Sequence, residues 1–151
     1  MERAEQLIET YRLVRHPEGG WFAEVYTSPF APEGRASMGS IYFLLEGEDI
    51  SHFHQIDCEE LWYFHEGCPL KITWIMNGTV RETILGTGEG QAPMAVMPGG
   101  AVFAAENLDP DSFCFLSCAT TPMFSYEGFR LVDLRACGAC VSNMPVCPPG
   151  P

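Results

Sequence analysis

Ser51-His52-Phe53-His54-Gln55-Ile56-Asp57-Cys58-Glu59-Glu60-Leu61-Trp62-Tyr63-Phe64-His65-Glu66-Gly67 is the stretch on which the reading of this chain turns. Side chains alternate along a strand, so two histidines two residues apart share one face. An imidazole pair held that way can bind a metal, and a carboxylate a few residues later can supply a third ligand. Strand parity does not carry across the turn between them, so the second strand must decide between Glu59 and Glu60. With Glu60 facing inward, Trp62 and Phe64 also face inward, and Tyr63 and His65 face out. With Glu59 inward, Trp62 points to solvent and its large apolar surface is wasted. Glu60 is therefore the candidate.

Outward from this stretch the chain is almost wholly β. Strands are predicted at Trp21–Thr27, Ser40–Leu45, His52–His54, Glu60–Phe64, Leu70–Met76, Thr79–Leu85, Ala95–Met97, Ala101–Ala105, Ser112–Ala119 and Phe129–Val132. They are short, rich in Val, Ile, Phe, Tyr and Trp, and separated by Gly, Pro, Asn and Asp. Asn77-Gly78 between two apolar runs predicts a type I′ hairpin. Many short strands with regular turn signals predict an all-β sandwich or small barrel. The exception is residues 2–14, where Ala4, Leu7, Ile8 and Tyr11 form one apolar helical stripe. Pro17-Glu18-Gly19-Gly20 supplies the turn chemistry expected to end that helix.

The chain has 151 residues, of which 46% are hydrophobic and 19% charged. That composition is globular, and the length suits one domain with its own core. No apolar run reaches the roughly 18–20 residues that span a bilayer. The polar start Met-Glu-Arg-Ala-Glu-Gln has no signal-like apolar region, so a cytoplasmic protein is expected. Net charge is −12 from 20 acidic and 8 basic residues. The basic residues are scattered, which argues against nucleic acid or an anionic membrane as partner. The seven cysteines have no framework spacing and read as reduced thiols. Residues 136–151 change character and are read as a Cys- and Pro-rich tail. Its Cys137-x-x-Cys140 pair lacks the fourth ligand and the βαβ context that zinc or redox chemistry would need.

The spacing Gly47-x4-His52-x-His54-x5-Glu60-x6-Gly67 resembles the first motif of the cupin superfamily. Pro98-Gly99-Gly100-Ala101-Val102-Phe103-Ala104-Ala105-Glu106-Asn107 resembles the second, with Phe103 at its histidine position. His16-Pro17-Glu18-Gly19-Gly20-Trp21-Phe22, Ser40–Leu45, Glu60–Phe64 and Phe124-Ser125-Tyr126-Glu127-Gly128-Phe129 are further similar to the small single-domain cupin-5 group. The resemblance covers residues 7–135 and implies a cupin domain over 1–135. It implies a jelly-roll barrel with an internal cavity, and a homodimer.

The resemblance also implies the site. Phenylalanine cannot coordinate a metal, so Phe103 leaves His52, His54 and Glu60. Such a set has open positions and suits Fe, and would also take Mn, Ni or Zn. A cupin-type enzyme acting on a small organic substrate follows, with isomerase, epimerase, lyase, decarboxylase or dioxygenase chemistry all open. One alternative is a metal-free, epimerase-like cupin with a histidine base and a tyrosine acid. Another is a binding protein without catalysis, in which His52 and His54 are merely hydrogen-bonded barrel residues. Glu24 and Tyr26, a Glu-x-Tyr pair on the first long strand, and Tyr42 are candidates for assisting proton transfer. Trp62, Phe64 and Phe103 are expected to wall the pocket. His16 and His65 are expected in a turn and at the surface.

Overall fold

Two antiparallel sheets close on each other in the computed structural model, which describes residues 2–134. Among the described residues one α-helix, α1 (Arg3–Tyr11), precedes eleven strands. These are β1 (Val14–Arg15), β2 (Trp21–Thr27), β3 (Gly39–Glu46), β4 (Ile50–Gln55), β5 (Glu59–Gly67), β6 (Leu70–Met76), β7 (Thr79–Leu85), β8 (Met94–Met97), β9 (Val102–Asn107), β10 (Phe113–Thr121) and β11 (Arg130–Leu131). The first sheet runs β1-β2-β3-β10-β5-β8 and the second β11-β4-β9-β6-β7. From β3 to β10 the chain pairs 3·10·5·8 on one side and 4·9·6·7 on the other, the nested double Greek key of a jelly roll. The architecture is the expected all-β barrel with a short N-terminal helix. The Cys137-x-x-Cys140 pair and the tail assignment lie outside the described residues.

Local chemistry accounts for most of these boundaries. Asn77 and Gly78 both have positive φ, 52° and 74°, as a type I′ turn requires, and they join β6 to β7. The helix ends earlier than expected. Arg12 turns left-handed with φ 54°, and its N–H reaches back to Glu9 and Ile8. Leu13 N–H then bonds the Ile8 carbonyl at 2.9 Å and buries its side chain, so a capped end precedes the Pro17 turn. That turn instead joins β1 to β2.

α1 lies on the outer face of the first sheet. Ala4 and Leu7 pack there with Leu13, Leu44 and Phe115, and Tyr11 stacks on Phe115 at 5.5 Å. The barrel interior holds a larger cluster that includes Phe43, Leu45, Trp62, Leu70, Ile72, Leu85, Phe103 and Leu116. These side chains fill one end of the barrel and leave the other end hollow. The hollow end is where β3 begins, β5 begins and β10 finishes, because Gly39 pairs with Thr120 and Thr120 with Glu60. No helix among the described residues is long and apolar enough to cross a membrane.

Candidate functional site

The hollow end is a cavity of about 250 Å³. Phe22, Ile41, Ile56 and Phe124 form its apolar walls, and His16, Glu18, His54, Glu60 and Cys118 supply polar groups. Such a mixture of apolar walls and a few converging polar groups is the usual make-up of a small-molecule site. Glu24 and Tyr26 stand at the exposed rim with Tyr126.

The turn between β1 and β2 puts Glu18 in place. Gly19 has φ +107°, and any Cβ on it would run into the Ile50 carbonyl. Only glycine permits that approach. The turn therefore lies directly on β4, where His52 N–H donates to the Glu18 carbonyl at 3.2 Å. The Glu18 carboxylate then reaches over the strand. Ser51 Oγ donates to its Oε1 at 3.2 Å, and its Oε2 lies 3.4 Å from His54 Nε2. His16 Nδ1 accepts from Glu18 N–H at 3.1 Å and sits 3.9 Å from Oε1. Burial pushes the His16 pKa down, the Glu18 charge opposing and His54 adding to the shift.

His54 is 2% exposed, and its ring rests against Phe103 at 4.3 Å. Its Nδ1 lies 2.6 Å from the His52 carbonyl, which can only accept, so Nδ1 carries hydrogen. Nε2 faces a carboxylate oxygen. The Glu18–His54 pair thus places a carboxylate and an imidazole side by side at the cavity.

Glu60 lines the same cavity, whereas Glu59 is exposed. Desolvation raises the Glu60 pKa to about 8, the Glu18 charge adds to the rise, and a hydrogen bond with the Cys118 thiol opposes it. At neutral pH Glu60 is mainly the neutral acid. Burial, together with Glu60 nearby, holds Cys118 far above the usual thiol range, so it is not a nucleophile.

The expected metal trio does not assemble. The β4–β9 ladder slips between Ser51 and His54: Ser51 pairs with Ala105 and His54 with Phe103. Three steps on β4 match two on β9, so a β-bulge breaks the alternation on which the His-x-His reading relied. Ser51 and His54 come to the inner side, Phe53 is buried in a separate cluster with Ala104 and Val132, and His52 does not line the cavity. With both His54 nitrogens engaged and Phe103 in the fourth ligand position, the residues do not fit a bound cation. Among the described residues no group of three or more His, Cys, Asp or Glu is arranged to hold one.

Other placements differ as well. Tyr42 sits on the outer face under α1, edge-on to Tyr11 at 5.0 Å, because its neighbours Ile41 and Phe43 take the inner positions of β3. Trp62 and Phe103 are inside the barrel but belong to its packed core, with Phe64 against it, rather than to the cavity wall. His65 is exposed at the outer face, its Nε2 against Ser117 Oγ. Glu18 and His16 were missed as site residues. The available signal was a His and a Glu inside a turn whose two glycines force it against another strand.

A sequence model described as Cupin superfamily (DUF985) matches residues 5–132. Protein SO0799 from Shewanella oneidensis is 33% identical, with a TM-score of 0.85 over 91% of this chain and 89% of that one. A hypothetical protein from Leishmania major is 29% identical, with a TM-score of 0.82 over 89% of both chains. A point variant of oxalate decarboxylase from B. subtilis shares the fold at 20% identity, with a TM-score of 0.59 over 79% of this chain and 30% of that one.

Proposed function

The chain belongs to the DUF985 family of the cupin superfamily, and from that premise we propose an enzyme that moves a proton on a small organic molecule held in the barrel cavity. The observation that carries this reading is one cavity holding two carboxylates in opposite roles. Glu18 is hydrogen-bonded and set against His54. Glu60 is desolvated and protonated at neutral pH. Neighbouring groups whose environments divide them into base and acid are the pattern of general acid–base catalysis.

In the proposed reaction the Glu18 carboxylate, held against His54, takes a proton from the carbon next to a carbonyl. Ser51 and the His52 carbonyl hold the pair in orientation. Glu60 donates a hydrogen bond, then its proton, to the carbonyl oxygen as charge develops there. Returning the proton to the same carbon gives an epimer, and to the adjacent carbon an isomer. Expelling a β-substituent gives a lyase product. Phe22, Ile41 and Phe124 keep water from the enolate. This departs from the metal-free cupin alternative of a histidine base and a tyrosine acid: Glu18 is the base beside His54, and Glu60 takes the place of the tyrosine as acid.

The test is hydrogen exchange. The protein is incubated in D₂O with a panel of small ketones, hydroxyketones, aminoketones, keto acids and sugars, and loss of the α-proton signal is followed by NMR. At least one compound is expected to exchange. His54→Gln and Glu18→Gln should each slow exchange by about 10²–10⁴-fold, and a chelator should leave it unchanged. No exchange across the panel, or exchange lost to a chelator and restored by a divalent metal, overturns the proposal.

A further inference from the structure

We infer that the cavity selects a molecule that is neutral where it reacts and carries an amine or other cationic nitrogen at its far end, and rejects carboxylates and phosphates of similar size. The inference rests on the proton-transfer reading for where the reacting atoms sit. Among the described residues the ionisable groups of the lining are carboxylates, imidazoles, phenols and a thiol, with no lysine or arginine. A bound carboxylate or phosphate needs the charge-assisted donors that arginine and lysine supply. Arg35 does not line the cavity, and each of its three nitrogens already has a partner. Its Nε bonds the Met123 carbonyl at 2.8 Å, and its two terminal nitrogens grip the Asp57 carboxylate at 3.0 and 2.9 Å. His16, whose burial disfavours the imidazolium, does not replace it.

The rim has the opposite character. Tyr26 is 50% exposed and Tyr126 61%, and both line the cavity mouth with Phe124. Phe124 meets Tyr126 edge-on at 5.0 Å, which fixes the direction of the rings. Thr120 Oγ1 accepts from Phe124 N–H at 2.8 Å, holding this loop on the end of β10. Glu24, on the cavity side of β2, adds an exposed carboxylate to the same rim. Ring faces with a carboxylate beside them attract organic cations. The surrounding charge of −12 draws cations toward this mouth and slows the approach of anions. The deep end favours a neutral carbonyl, because an anion there would face Glu18.

Binding of benzyltrimethylammonium, benzyl alcohol and phenylacetate to the whole protein, measured by ligand-observed NMR titration, tests this inference. The ammonium should bind about fivefold or more tighter than the alcohol, weaken as salt is raised, and displace it. Phenylacetate should not compete. Glu24→Gln and Tyr126→Leu should each cost the ammonium about two- to fivefold and leave the alcohol unchanged. Failure of the ammonium to bind, insensitivity to both variants, or phenylacetate binding as tightly as the ammonium overturns the inference. The reaction is judged separately. Exchange in D₂O that prefers anionic compounds removes the charge selectivity alone. Ammonium selectivity without exchange removes the proton-transfer reading alone.

Discussion

Glu60 is where burial and charge oppose folding most directly. Its carboxyl is desolvated inside the barrel near Glu18, and its pKa rises from 4.5 to about 8. The folded protein therefore holds this proton more tightly than the unfolded chain does. Stability linked to Glu60 is complete below the unfolded value and is lost as pH rises through about 8. His16 runs the other way: its lowered pKa removes stability as pH falls below its ordinary range. Comparing wild type with Glu60→Gln cancels His16 and the other titrating groups. In urea unfolding, wild type should lose up to about 4 kcal/mol relative to the variant between about pH 5 and pH 8.5. A constant difference between the two proteins would show that Glu60 keeps an ordinary carboxyl environment. The inward side of Glu60 was legible from the alternation Glu60, Trp62, Phe64, since only one parity buries the indole. Glu18 was not legible, because its position depends on a turn meeting a strand some thirty residues away in sequence.

The bulge in β4 is the element that most changes the meaning of the sequence. Alternation is a local rule, and it predicts a shared face for His52 and His54 only while the ladder stays regular. Pairing with β9 inserts one unmatched residue between Ser51 and His54, which a single sequence does not disclose. Elsewhere the local rules held, as in the Asn77-Gly78 hairpin and the inward positions of β5. The helix stop failed for a related reason: Arg12 takes a left-handed cap usually given to glycine. The bulge makes a sharp prediction. His52 does not line the cavity, and its backbone N–H and carbonyl hold Glu18 and His54 in place. His52→Ala, which keeps both backbone groups, should retain exchange activity within about tenfold, while His54→Gln loses about 10²-fold or more. Equal losses for His52→Ala and His54→Gln, with both variants folded by circular dichroism, would mean the two histidines act together as on a regular strand.

Across the whole molecule, charge decides how stability responds to salt. Three exposed arginine–carboxylate pairs, Arg3–Glu66, Arg15–Asp49 and Arg35–Asp57, hold at 2.7, 3.0 and 2.9 Å. Pairs this exposed contribute roughly 0–1 kcal/mol each, and salt weakens them. Against them stand 20 acidic residues and 8 basic ones on a compact 151-residue chain. Many of these charges lie on the barrel's surface, and lowering the salt lengthens the Debye length from about 10 Å at 0.1 M to about 30 Å at 0.01 M, so that more of them interact. Repulsion of that kind is spread over the whole surface and favours the expanded chain. Screening relieves it everywhere, whereas it weakens attraction at only a few pairs. Raising sodium chloride from about 20 mM to about 500 mM should therefore raise Tm, by about 3–5 °C if the net gain is near 1 kcal/mol. A scan at pH 7 checks the sign. A fall in Tm would mean that the paired arginines outweigh the unpaired acids. Reducing the repulsion by mutation should act in the same direction as salt. Glu48→Lys, at an exposed turn beyond β3, should raise Tm at low salt and shrink the salt response, and an unchanged response would separate the salt effect from net charge.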